Sequence, residues 1–318
     1  MVRTFCSRLV GVAFISALGV FAGHAAEVTY PMGSRIGLEP APGLSNAERF
    51  PGFEDKGSGT TVLILDMPAQ ALSEATQQIS KDGLKKQGLI EDARQSFSHR
   101  SGKGTLVTGR QEGEHKARKW ILLTSVFDST ALVVVEVPDE SAKFYSDAAV
   151  RTMLSSLAMR ASVPVEEQFK LLPLNFTDLS GMRPVRVIAS TGAILTNGPK
   201  DTLEPTEQPL LIVSVGRGGP EEAAARDTFA RNLFSATGQF KDLRIIGTDM
   251  LRLGGGLQTH QLFAEARDTK TDTPIKLVQW VRFGSGAYVR VVGIARADEW
   301  SDAFPRFRAV RDGVNPRG

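Results

Sequence analysis

The chain almost lacks cysteine: its 318 residues hold one, Cys6. That residue stands before an apolar run, Leu9 to Ala22, which follows a start carrying Arg3 and Arg8 and no acid. Gly23-His24-Ala25 then offers small residues for cleavage. The pattern reads as a secretory signal peptide over residues 1–25. The run falls short of the roughly 20 residues that span a bilayer, and no other stretch approaches that length. No transmembrane segment is therefore expected after cleavage, and the expected location is the periplasm or the exterior. Cleavage also removes the only thiol, which excludes disulfides, thiolate metal sites and cysteine nucleophiles together.

Histidine is scarce too. Beyond the signal only His99, His115 and His260 remain, and none stands in a His-Glu-x-x-His or His-x-His spacing. They read as strand or loop residues. Excess charge is missing: without Arg3 and Arg8, 36 basic residues face 35 acidic ones. That balance gives nucleic acid no global attraction. No Gly-x-Ser-x-Gly elbow occurs; Gly57-Ser58-Gly59 and Gly284-Ser285-Gly286 are shorter and read as turns. Gly216-Arg217-Gly218-Gly219-Pro220 precedes a helix, where an anion could sit. It lacks the Gly-Lys-Ser/Thr ending of a P-loop and the spacing of a dinucleotide site. Glu54-Asp55 and Glu221-Glu222 read as turn and helix-start carboxylates. No catalytic residue, metal ligand or cofactor is assigned.

What the chain has is a duplicated pattern. Apolar content of 42% and charged content of 23% suit a globular protein. Thr60 to Asp66 is a β-branched apolar run, read as a buried strand, and Pro68 to Gln87 reads as one helix closed by Gly88. Ala93 to His99 and Thr105 to Gln111 form a hairpin about Ser101-Gly102-Lys103-Gly104. Lys119 to Leu123 and Ala131 to Val137 form the next, followed by a helix capped by Ser146 that buries Val150, Met153, Leu154 and Leu157. The second half repeats this order. It has a hairpin about Ser190-Thr191-Gly192, a buried strand Leu210 to Val215 and a helix Pro220 to Ser235. Strands then flank Gly254-Gly255-Gly256 and Gly284-Ser285-Gly286, and a closing helix follows. Trp120 matches Trp280, Thr61 matches Leu210, Gly102 matches Gly254 and Tyr145 matches Trp300. The two tryptophans read as core anchors, and Tyr145 and Trp300 as apolar staples before helix caps.

The expected domains are residues 26–160 and 169–318, joined by a polar linker over 161–168. Hairpins imply mostly antiparallel pairing, and two apolar-faced helices per copy need a sheet to cover. The opening Arg35-Ile36-Gly37-Leu38-Glu39-Pro40-Ala41-Pro42-Gly43 resembles the start of PsbP-like domains, a family that includes DcrB-like envelope proteins. The helix after the third strand, the two hairpins and the closing helix are similar as well. The resemblance implies an α+β fold: two similar α-β-α sandwich domains, each a mostly antiparallel sheet flanked by helices. It also implies an accessory or binding role without common catalytic residues.

The one candidate interaction surface is the basic stretch with Arg100, Lys103, Arg110, Lys116 and Arg118. It would meet an acidic partner or anionic lipid if strand alternation put several of these on one face. The leading expectation is an exported two-domain binding or scaffold protein acting through an envelope protein or an apolar ligand. The alternatives are a hydrolase with residues in the interdomain cleft, and a lipid- or glycolipid-binding envelope protein.

Overall fold

The computed structural model describes residues 27–113, 115–237, 240–253, 258–284 and 286–317. The signal segment with Cys6, the Gly254-Gly255-Gly256 turn and Ser285 lie outside the described residues.

The first unit opens with β1 (Ile36–Gly37), β2 (Ser45–Asn46), β3 (Gly52–Asp55) and β4 (Thr60–Pro68). Where one helix was expected there are two, α1 (Leu72–Gln78) and α2 (Lys81–Lys86), after a short turn over Ala69–Ala71. The break is at Ser80, whose hydroxyl accepts the Gly83 N–H at 3.1 Å and caps a new helix. Four strands follow: β5 (Leu89–His99), β6 (Gly102–Gln111), β7 (Ala117–Val126) and β8 (Ser129–Pro138). The helix α3 (Asp147–Ser155) is capped by Ser146 as read from sequence, and β9 (Ala158–Met159) returns to pair with β1.

The stretch expected as a linker carries a short helix, α4 (Val165–Lys170). The second unit then runs β10 (Leu174–Phe176), β11 (Arg183–Ile188), β12 (Gly192–Thr196), β13 (Leu210–Arg217) and α5 (Ala223–Ser235). It continues with β14 (Phe240–Arg252), β15 (Gln258–Asp268), β16 (Pro274–Phe283), β17 (Ala287–Arg296), α6 (Trp300–Gly313) and β18 (Val314–Pro316). β18 pairs with β10, as β9 pairs with β1.

The two seven-stranded sheets have the orders β2-β3-β4-β8-β7-β6-β5 and β11-β12-β13-β17-β16-β15-β14. Counted along the chain within each sheet, these are the same order, and every neighbouring pair is antiparallel. The ladders align the copies residue by residue. Val62, Val135 and Trp120 share one rung of the first sheet; Val213, Val291 and Trp280 share the same rung of the second. By this register Thr61 corresponds to Ile212, not to Leu210 as the sequence offsets suggested. A two-residue slip leaves every side chain on its face, so alternation alone could not detect it.

Each sheet is covered on both sides, so each unit is the expected α-β-α sandwich. Alternate residues of β7 and β8 serve opposite cores. Trp120, Leu122, Val133 and Val135 pack with Val150, Met153 and Leu154 of α3. Ile121, Leu123, Leu132 and Val134 pack with Ala75 of α1, Leu84 of α2 and Ile79 between the two helices. In the second unit Val278, Trp280 and Val291 meet Phe307 and Val310 of α6, while Leu277, Val292 and Ile294 meet Ala230 and Phe234 of α5. Burial on both faces is why these strands read as unbroken apolar runs.

Candidate binding surface at the junction of the repeats

α4 fastens the two units. Its Glu167 takes two bonds from Arg160, at 2.9 and 2.6 Å, and the Gly33 N–H at 3.3 Å. The Arg160 bonds, with the Gly33 N–H adding, hold the Glu167 carboxyl below its ordinary range. Arg160 also donates to Ser34 O at 3.0 Å and lies over the Tyr30 ring at 4.6 Å. Two residues on, Phe169 joins the α6-side core of the second unit, its ring tilted against that of Phe176 with centroids 4.6 Å apart.

Beside this fastening runs a crevice of about 440 Å³, lined by Gly33, Arg35, Val163, Leu171, Val187 and Ser190 among others. Arg35 is held by the Asp66 carboxylate at 2.8 and 3.2 Å and by Asp128 at 3.0 Å. Those bonds, Asp66 foremost, raise the Arg35 pKa, and the bond from Arg35 lowers that of Asp128.

Exposed apolar side chains occur on the segments that line this crevice or hold its Arg35. Leu171 lines it and is 51% exposed. Met32 (58%), Ile188 (38%) and Phe127 (71%) each stand one residue from Gly33, Val187 and Asp128 respectively. Strain gathers there too. The tip of the β7–β8 hairpin is Phe127 at φ +53, and the tip of the β11–β12 hairpin holds Ala189 at φ +44 and Ser190 at φ +56. The left-handed region costs a side chain about 1–2 kcal/mol, and a bulky residue there is an outlier. Nothing in sequence periodicity marked these residues, because one exposed Phe in a turn carries no pattern. The one available signal was a two-residue Phe-Asp turn where Asn-Gly or Asp-Gly is the favoured choice.

The basic residues singled out from sequence do not form one patch. Arg100 and Lys103 lie at one end of β6, Arg110, Lys116 and Arg118 at the other. Arg100 pairs with Glu39 at 2.5 Å, and Arg110 pairs with Asp92 at 3.2 Å. Arg118 lies over the Trp120 ring at 5.1 Å and donates to Ala142 O and Tyr145 O at 3.2 and 2.8 Å. Lys103 falls on the α1–α2 face of β6, in phase with Val107, and Arg110 on the α3 face, in phase with Leu106.

The histidines are scattered. His99 is buried, with Nε2 2.9 Å from Thr124 Oγ1. Thr124 donates its own proton to Lys103 O at 3.0 Å, so it accepts from His99 Nε2–H. Burial lowers the pKa of both His99 and His260, and His260 meets the Phe283 ring edge-on at 5.5 Å. Ser58 bonds to Thr60 Oγ1 at 3.0 Å. Trp120 and Trp280 are buried anchors, 3% and 1% exposed. Tyr145 precedes the Ser146 cap of α3, but Trp300 is the first residue inside α6, so only one of the two stands before a cap. Among the described residues no three His, Cys, Asp or Glu group in a metal-binding cluster, and no helix is long and apolar enough to cross a membrane.

No family model matches the chain, and no curated protein matches it. Solved structures do show similarity. LpqN, involved in cell envelope biogenesis of Mycobacterium tuberculosis, aligns with TM-score 0.34 and 14% identity over 45% of this chain and 82% of its own. PsbP (CyanoP) of Synechocystis aligns with TM-score 0.33 and 13% identity over 45% and 86%. The immunity protein TplEi of T6SS from Pseudomonas aeruginosa aligns with TM-score 0.29 and 11% identity over 91% and 97%. At these scores the likeness carries no functional argument.

Proposed function

We propose that this chain is an exported, non-catalytic scaffold that holds another envelope protein at the junction of its two repeats. Export rests on the charged start, apolar run and small-residue cleavage pattern of residues 1–25. The junction reading rests on one observation: Leu171 stands exposed in the crevice wall, and exposed Met32, Phe127 and Ile188 lie one residue from Gly33, Asp128 and Val187, with left-handed backbone at the two hairpin tips. Exposed apolar groups gathered in one place mark protein contact sites, and strained backbone persists where function requires it. The crevice lining supports binding over hydrolysis. Ser162 and Ser190 are there, but among the described lining residues there is no histidine or carboxylate to activate them.

The test is affinity capture from the periplasm with the mature chain and with Phe127→Asn plus Leu171→Ser. We expect one partner to be held by the first and lost from the second. Equal recovery with both would remove the junction reading. We further propose residues 26–160 and 169–318 as the two domains, with 161–168 between them. Each expressed alone should melt in one cooperative transition, and capture should fail with either half.

A further inference from the structure

A second apolar cleft lies away from the junction, at the end of the central strands of the second sheet. Its volume is about 280 Å³, and its walls include Val215, Phe283, Ala287, Tyr288, Val289 and Pro316. Val215 pairs with Val289 across β13–β17, and Phe283 with Tyr288 across β16–β17. Phe229 of α5 meets both rings edge-on, at 5.8 and 5.2 Å, which holds them on the α5 face of the sheet, while Val215 and Val289 face α6. Gly216 lets the end of β13 lie flat on the Tyr288 ring, since a Cβ there would come within 2.2 Å of it.

Among the described residues one cation lines this cleft, Arg282. Its guanidinium makes one hydrogen bond among the described residues, to Val314 O at 2.6 Å, and pairs with no carboxylate. Five N–H donors in a fixed fork leave most of the head unmatched beside an apolar wall. The contrast with Arg290, eight residues on, is informative. Arg290 is also half-buried without a carboxylate, but it donates to Gln279 Oε1 at 2.7 Å, Leu233 O at 2.8 Å and Thr237. Arg290 is therefore structural, while Arg282 retains unmatched donors. Burial with no compensating charge lowers the Arg282 pKa, and an anion placed on its free N–H groups would relieve that cost.

We propose that this cleft binds a medium-chain fatty acid, its chain against Val215, Ala287, Val289 and Pro316 and its carboxylate on Arg282. The volume lies just under the roughly 300 Å³ lower bound of small-molecule pockets, which suits a single medium-length chain and excludes a two-chain lipid. The head is an anion because, among the described residues, the charge in the lining is the Arg282 cation, whose planar fork matches a carboxylate. The site is independent of the junction reading, since it shares no residue with that crevice.

The test is calorimetric titration of the full mature chain with sodium octanoate, octan-1-ol and octylamine. Octanoate should bind about tenfold or more tightly than octanol, the effect of one charged hydrogen-bonded pair, and octylamine should bind least. Ala287→Phe fills the cleft without touching Arg282 and should abolish octanoate binding. Arg282→Met should reduce octanoate to the affinity of octanol. Arg282 also anchors the last strand, so if that variant fails to fold, Ala287→Phe and the ligand series decide. Equal binding of octanoate and octanol, no binding of octanoate, or octanoate binding unchanged by Ala287→Phe would each overturn the proposal.

Discussion

The indole N–H of Trp120 donates to Asp147 Oδ1 across 2.8 Å and so ties β7 to the first turn of α3. Its counterpart Trp280, on the same rung of the second sheet, donates instead to Gln261 Oε1 at 2.7 Å, within its own sheet. There the closing helix is held by rings: Phe304 of α6 stacks on Trp280 at 6.1 Å and on Trp300 at 5.4 Å. The duplicated position keeps its place and burial while its polar contact has changed.

Trp120→Phe keeps the ring and removes the bond, and should cost about 1–2 kcal/mol in urea unfolding. It should also alter acid sensitivity. Burial pushes Asp147 up, but the bonds from Trp120 and Arg151 outweigh it and leave the carboxyl below its ordinary value. A carboxylate held low contributes stability above about pH 3.9, lost as pH falls through its folded value. The variant should therefore lose less stability than the native chain between about pH 5 and about pH 2.

Tyr145 is buried and donates its hydroxyl to Asp55 Oδ2 at 2.9 Å. Burial first, and then the Asp55 carboxylate, push its pKa up to about 12. The folded state thus keeps a proton that the unfolded chain gives up near pH 10. The contribution is complete below about pH 10 and is lost as pH rises toward about 12. Tyr145→Phe should cost about 1 kcal/mol at neutral pH and flatten the fall in Tm measured from pH 9 to 11.

Phe127→Asn should stabilise the chain while weakening partner capture. Asn tolerates the left-handed region that Phe occupies at φ +53, so a gain of about 0.5–1 kcal/mol is expected in thermal unfolding. A loss of stability would show that the Phe127 ring packs against the chain itself, and would count against its role in binding.

Arg290→Met should cost about 2–3 kcal/mol, because it strands Gln279 Oε1 and the Leu233 carbonyl in a buried place. Leu233 belongs to the last turn of α5, where a cation also favours the helix dipole. Arg290→Lys should recover only part of this, since a single ammonium cannot span three acceptors as the guanidinium fork does. Chemical denaturation of the three proteins checks the order.

Much of this architecture could be read from the residues themselves. The unbroken run Ala131 to Val135 announces a strand buried on both faces, and the fold places it at the centre of its sheet. Ser146 announces a helix start because a hydroxyl there can reach a free N–H, and it does. The second closing helix had no such signal: Glu299 precedes it without a side-chain bond, and Trp300 lies within it. Register was beyond reach as well, since a two-residue slip changes no face. The candidate sites were the least legible. Alternation placed Lys103 and Arg110 on opposite faces, and the basic stretch turned out to be spread over both ends of a strand.

By itself the sequence determined the duplication, the fold class and the succession of elements, because these follow from local periodicity, turn chemistry and capping. Only the tertiary structure decided which residues meet. Gly33, Leu171 and Val187 reach one crevice from three separate segments, and among the described residues the guanidinium of Arg282 meets a backbone carbonyl and no carboxylate. Pairing, burial and strain depend on contacts between distant parts of the chain, and no local pattern records them.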